Sequence, residues 1–186
     1  RTSKIMEDKA GNIWIGTNMG ISTFHPKSSY KADSINIVSI TTDDGLIGNN
    51  ITAIFEDSRG NIWFGTTNGI SRLSANAPFL KNHDKSGFKK HLENFTSKDG
   101  LATDTINDIL EDRAGNLWFA TRRGISKLVQ GESKISGNRP LYKFENYTNN
   151  NIETSQSVSN ILEDKDGFIW VTTHDRISKV IVNYST

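Results

Sequence analysis

Residues 51–73 read ITAIFEDSRGNIWFGTTNGISRL, and the same phrase returns three more times along the 186-residue chain. The other copies are residues 2–24 (TSKIMEDKAGNIWIGTNMGISTF), 106–128 (INDILEDRAGNLWFATRRGISKL) and 158–180 (VSNILEDKDGFIWVTTHDRISKV). Trp14, Trp63, Trp118 and Trp170 fix the register, spaced 49, 55 and 52 residues apart. The same register aligns Asp8, Asp57, Asp112 and Asp164, and also Gly11, Gly60, Gly115 and Gly167. A period of about 50 residues is the mark of a solenoid, a propeller or an array.

Within the second copy, Ile51–Glu56 is short, apolar and β-branched, which suits a buried strand. Asp57-Ser58-Arg59-Gly60 is a four-residue turn, with an Asp that can accept backbone N–H groups and a Gly that tolerates positive φ. Residues 61–66 form a second strand in which Ile62, Trp63 and Phe64 are consecutive, so both faces are apolar. Thr67-Asn68-Gly69 is a tight hairpin turn, and residues 70–74 are the third strand. A fourth strand is expected in each spacer, near residues 37–41, 92–96 and 144–148. Polar turns follow these strands: Asp43-Asp44-Gly45-Leu46, Lys98-Asp99-Gly100-Leu101 and Asn149-Asn150-Asn151-Ile152. Four strands in about 50 residues make one propeller blade, so the fold class is all-β, a β-propeller of four repeats. No 3.6-residue period appears, which rejects an α-solenoid. We treat residues 1–186 as a single propeller domain or propeller fragment.

Antiparallel order decides which loops share an end of the sheet. The spacer-to-repeat connections and the Asn-Gly-type turns fall on one end, where propellers hold ligands. The Asp-x-x-Gly turns and the variable insertions 25–36, 74–91 and 129–143 fall on the other.

Lys and Arg interleave with Asp and Glu to a net charge of +1. That argues against a nucleic-acid partner or a polybasic membrane surface. No apolar run is long enough to span a bilayer as a helix. Without cysteine there is no disulfide framework, thiol nucleophile or thiolate metal site. The chain begins at Arg1, and the reading favoured here is a segment of a longer protein. A compact four-bladed ring and a partner chain completing a larger ring are the alternatives. Sequons at Asn50, Asn94, Asn146 and Asn183 are read as chance products of Asn/Thr-rich turns.

The identical place of Trp in every repeat assigns the indoles to packing between blades rather than to a sugar-stacking platform. Neighbouring strand residues point to opposite faces, so pairs such as Glu56 and Asp57 cannot flank one scissile bond. His25, His83, His91 and His174 lack metal-ligand spacing. No Ser lies in a nucleophile elbow and no Gly run makes a phosphate loop. No catalytic residue, metal or cofactor is expected. The candidate ligand residues sit on the ligand-end turns of copies three and four: Arg122 and Arg123, then His174 and Arg176. Copies one and two carry neutral residues there, and guanidinium groups suit the carboxylates or sulfates of an anionic oligosaccharide. Arg176 also stands where the other copies have Gly20, Gly69 and Gly124, which implies a reshaped turn.

The pattern I-x-x-I-x-E-D-x-x-G-N-[IL]-W-[IF]-[GA]-T-x-x-G-I-S-x-L, preceded by Asp-Gly-Leu, resembles the two-component regulator propeller repeat. Members of that family form sensor regions of bacterial hybrid histidine kinases and close rings of about seven blades, within the usual propeller range. The resemblance implies a non-catalytic, periplasmic ligand-sensing module that recognises polysaccharide fragments, in a membrane-anchored parent. Self-association completing a ring or a dimer is a further expectation. A structural protein-interaction propeller is the alternative. An enzyme like the streptogramin lyases, whose repeats share Gly-Asn-[IL]-Trp-Phe, fits less well, because only His174 could serve as its histidine.

Overall fold

A computed structural model describes residues 2–26, 36–82, 84–85, 87–130, 142–148 and 157–180. Its strands are β1 (Thr2–Glu7), β2 (Ile13–Thr17), β3 (Gly20–Phe24), β4 (Val38–Ile40), β5 (Ile51–Glu56), β6 (Ile62–Thr66), β7 (Ile70–Leu73) and β8 (Leu92–Phe95). They continue with β9 (Ile106–Glu111), β10 (Leu117–Thr121), β11 (Gly124–Gln130), β12 (Tyr142–Tyr147), β13 (Asn160–Glu163), β14 (Ile169–Thr172) and β15 (Ile177–Lys179). They form three four-stranded sheets, β1–β4, β5–β8 and β9–β12, and a three-stranded sheet β13–β15. Each sheet is one blade of an all-β propeller-type repeat, and each spacer strand pairs with the meander before it. The chain divides into two compact units, Arg1–Asn94 and Phe95–Thr186.

The expected strands are present, with two differences. In the third blade the last two strands run on to Gln130 and start again at Tyr142, longer than the period implied. The insertion 74–91 holds one helical turn, α1 (Phe79–Asn82), where no helix was expected. Ala77, Phe79 and Phe88 of that insertion are buried in the first unit's core, with the Phe79 and Phe88 rings 4.8 Å apart edge to face. A lone turn shows no periodicity, and what holds it is tertiary packing. The polar turn 149–152 lies outside the described residues.

The invariant Asp builds a cage that sets the Trp. Asp8 Oδ1 accepts the N–H groups of Ala10 and Asn12, and its Oδ2 accepts Asn12 Nδ2 and the Trp14 indole Nε1, both at 2.8 Å. Asp57 repeats this with Arg59, Asn61 and Trp63, and Asp112 with Asn116 and Trp118. Asp164 keeps the indole of Trp170 at 2.6 Å and the N–H groups of Asp166 and Phe168. Here Phe168 replaces the Asn, so the side-chain amide is lost. Charge-assisted bonds to a fixed carboxylate hold both the turn and the indole in one orientation.

In the first unit Trp14 is wholly buried, 5.5 Å from Phe64 and 6.1 Å from Phe79. Met6, Trp14, Ile21 and Ile40 on one face of the first blade meet Ile51, Ile54, Ile62, Phe64 and Leu73 of the second. Gly16 lies where a Cβ would come within 2.7 Å of Ile51 Cγ2, so glycine sets the spacing of the two sheets. In the second unit Trp118, Ala120, Ile125 and Tyr147 meet Val158, Ile161, Ile169, Val171 and Val180 in the same way. Trp14 and Trp118 are therefore packing groups between blades, as their repetition implied. No helix among the described residues is long and apolar enough to cross a membrane.

Candidate functional site

The loops at the end expected to hold ligand are tied down by hydrogen bonds. Thr41 and Thr96 each cap a short 3-10 turn, residues 42–44 and 97–99, with a capping box closed by Asp44 and Asp99. Gly45 and Gly100 then reverse the chain at φ 109° and 107°, a left-handed conformation that Gly adopts without strain. Leu46 and Leu101 follow and are buried. The connections are also clamped from the side. Ser71 Oγ accepts the Ile47 N–H and donates to Asn94 Oδ1, while Asn94 Nδ2 donates to the Gly45 carbonyl. In the second unit Ser126, Ala102, Asn146 and Gly100 repeat that clamp. Asn94 and Asn146, read as chance sequons, are thus structural residues.

Turns between the second and third strands carry the candidate side chains. In the first three blades a Thr hydroxyl (Thr17, Thr66, Thr121) donates to the carbonyl of the Gly three residues on, at 2.9 to 3.0 Å. It accepts the N–H of Met19, Asn68 or Arg123. The tip is held to the neighbouring connection as well: Arg122 N–H donates to the Thr105 carbonyl and Gly20 N–H to that of Asn49.

Arg122 and Arg123 project from the β10–β11 turn and are exposed. His174 and Arg176 project from the β14–β15 turn and are exposed too. The backbone ladder Val158 N–H to Thr121 carbonyl, then Ser159 N–H to Thr172 carbonyl, puts both tips on one end of adjacent blades. Arg176 forms an ion pair with Asp175 at 3.7 Å, which offsets its charge. The cationic patch that remains is Arg122 with Arg123.

The fourth turn is reshaped, as the missing Gly implied. Its Thr173 hydroxyl accepts from Arg176 N–H rather than from the third residue. Gly20 and Gly124 sit where a Cβ would press on the carbonyls of Ile40 and Tyr147 in the adjacent fourth strand. The sheet of Arg176 has three strands among the described residues.

Among the described residues no group of three or more His, Asp or Glu side chains is placed to hold a metal ion. An open concavity of about 330 Å³ lies on the outer face of the fourth blade, lined by Leu162, Asp164, Trp170, Thr172 and Ile177 among others. Reading the repeat for chemistry missed the Asp–Asn–Trp cage. Its spacing of i, i+4 and i+6 in three copies was the available signal.

A family model described as two component regulator propeller matches residues 2–19, 45–68, 100–123 and 153–175. The chain carries four two component regulator propeller repeats. No curated protein sequence matches it. Among solved structures it is similar to the extracellular domain described as that of a hybrid two component system from B. thetaiotaomicron. Identity is 25% and the TM-score 0.70, over 96% of this chain and 21% of that one. A second such domain from the same organism is 21% identical with a TM-score of 0.72, over 97% and 24%. A virginiamycin B lyase from Staphylococcus aureus is 17% identical with a TM-score of 0.59, over 96% and 52%, a likeness of fold alone. This propeller segment spans about a fifth to a quarter of the two-component structures it resembles.

Proposed function

We propose that this chain is a non-catalytic sensing segment of the periplasmic region of a bacterial hybrid two-component regulator, and that it recognises anionic polysaccharide fragments. The observation that carries the reading is the Arg122–Arg123 tip, exposed on a turn whose backbone is tied down by Thr121 and Thr105. Two guanidinium groups on a fixed turn offer paired donors to carboxylate or sulfate oxygens at little ordering cost. The domain and compartment follow from its likeness to the extracellular domains of two-component systems. Ligand would act by biasing how the sensor packs against what adjoins it, because a stiff repeat array transmits change through its faces.

Thermal shift against a panel of uronic-acid and sulfated oligosaccharides tests the proposal. A ligand at a hundred times its Kd raises Tm by roughly 5–10 °C for a chain of this size. The double variant Arg122→Gln, Arg123→Gln keeps the parent Tm and loses that rise. A glycan that binds the double variant equally well removes this site, and a panel with no rise at all removes the polysaccharide reading.

A further inference from the structure

In the second and third blades a cation from the neighbouring strand covers the indole. Arg72 lies over the Trp63 ring at 5.6 Å and Lys127 over that of Trp118 at 5.2 Å. The aligned residue of the first blade is Thr23, which stands directly across the ladder from Trp14 and is too short to reach over it. Trp14 is met instead by Phe79 of the second-blade insertion, with the rings 6.1 Å apart. The exchange also removes hydrogen bonds. Arg72 Nη2 and the Ala75 N–H both donate to Asn61 Oδ1 at 3.1 Å. Their counterparts in the first blade, Thr23 and Pro26, lack the guanidinium and the N–H that would serve Asn12. Asn12 Oδ1 and Thr23 Oγ1 are buried without a hydrogen-bond partner among the described residues.

A few contacts hold the insertion down. Ala77, Phe79 and Phe88 enter the core between the first two blades. The Leu80 carbonyl accepts Asn12 Nδ2 at 3.2 Å. Lys85 Nζ reaches the Asp44 carboxylate and donates to the Ser39 carbonyl, both at 2.7 Å. Asp44 also closes the capping box of Thr41, so Lys85 ties the insertion to the connection between the two blades. The pair is partly exposed, and such pairs add little stability. Beside it an open cleft of about 380 Å³ separates Asp43 and Asp44 from residues 87–90, and water reaches the insertion from that side. Docking therefore has two opposed consequences. It buries the rings of Phe79 and Phe88, and it leaves Asn12 Oδ1 and Thr23 Oγ1 dry. Undocking returns water to both atoms, which offsets part of the cost of exposing the rings.

We propose that residues 77–82 and 87–91 form a releasable strap, in which Phe79 uses the space over Trp14 that Thr23 leaves free and Lys85 is the latch on Asp44. The strap opens and recloses while the strands of both blades stay folded. Opening uncovers Trp14 at the seam and frees Asp44 in the connection, so seam packing and connection geometry change together. The device does not depend on what the Arg122–Arg123 tip binds.

Amide hydrogen exchange of the 186-residue chain, followed residue by residue by NMR, tests it. The N–H groups of Leu80, Lys81 and Lys90 are bonded inside the insertion. They exchange roughly tenfold or more faster than those of β6, because the strap opens without the blades. Thr23→Arg restores the residue of the second blade and competes with Phe79, so strap exchange quickens roughly tenfold again while β6 stays protected. Lys85→Met keeps the apolar stem, removes the latch and speeds strap exchange roughly threefold. It carries the test if Thr23→Arg does not fold. Phe79→Ala lowers Tm, and adding Thr23→Arg to it raises Tm, because the arginine then covers Trp14 as Arg72 covers Trp63. Strap amides that exchange as slowly as those of β6 overturn the proposal. So does a Thr23 or Lys85 variant with unchanged strap exchange, or a double variant that melts below Phe79→Ala.

Discussion

Strands β10 and β14 occupy the same place in neighbouring blades of one compact unit, LWFAT against IWVT. Every residue of β10 is buried, whereas β14 alternates, with Ile169 and Val171 buried and Trp170 and Thr172 only half so. Both indoles keep the bond to the Asp six residues earlier. The Asp–Trp cage is therefore a property of the repeat itself, completed within a dozen residues. Burial of the indole is not. It arrives from the neighbouring blade, and an equal sequence gains unequal stabilisation according to what stands in front of it.

The largest test of that contrast is truncation of the indoles. Trp118→Ala should cost about 3–5 kcal/mol, as removal of a buried aromatic does, and Trp170→Ala less than half as much. Urea unfolding of the two variants measures the difference, and equal costs would mean that neighbour packing contributes nothing. Next comes the cage. Asp57→Ala strands the Trp63 indole and two backbone N–H groups, so a loss of about 2–4 kcal/mol is expected where the carboxylate is buried.

A smaller effect separates the two turns. Gly124 lies at φ 99° under the Tyr147 carbonyl, so Gly124→Ala should lower stability by about 1–2 kcal/mol. The converse change, Arg176→Gly, should move stability by no more than about 0.5 kcal/mol.

The smallest effect is one of pH. The Trp170 indole and then the Phe168 N–H hold the Asp164 carboxyl below its ordinary value of 3.8. A carboxylate whose folded pKa is depressed contributes stability above the unfolded value, and that contribution is lost as pH falls through the folded one. The Trp170 Nε1–H proton resonance should stay constant at neutral pH and shift only below about pH 4. Asp164→Asn should abolish that shift, and a midpoint above pH 4 would contradict the stated cause.

Much of this was legible beforehand because the repeat aligns with itself. Asp57 at a turn start, Gly60 at its end and Trp63 in a doubly apolar strand each name a local geometry that sequence neighbours enforce. The third-blade strands ran longer than the period because Val129 pairs with Lys143 and Gln130 with Tyr142, a ladder with no counterpart in the other copies among the described residues. Phe79 and Phe88 could not be placed in advance, since an insertion present once has nothing to be compared with. The positions of Arg122, Arg123, His174 and Arg176 on turns between the second and third strands followed from strand order alone. That Arg176 is offset by Asp175 did not, because a side-chain ion pair depends on rotamers the chain order does not set.

The sequence by itself determined the blade: four strands, their turns, the caged indole and the end of the sheet on which each loop falls. All of these are contacts closed within about 50 residues, so the order of residues specifies them. The tertiary structure alone decided which faces are covered. Trp14 is sealed and Trp170 left half-open although their surroundings in sequence are nearly the same. The difference lies in whether a second sheet of matching shape, Ile51 opposite Gly16 or Val158 opposite Ala120, is present to exclude water from the indole.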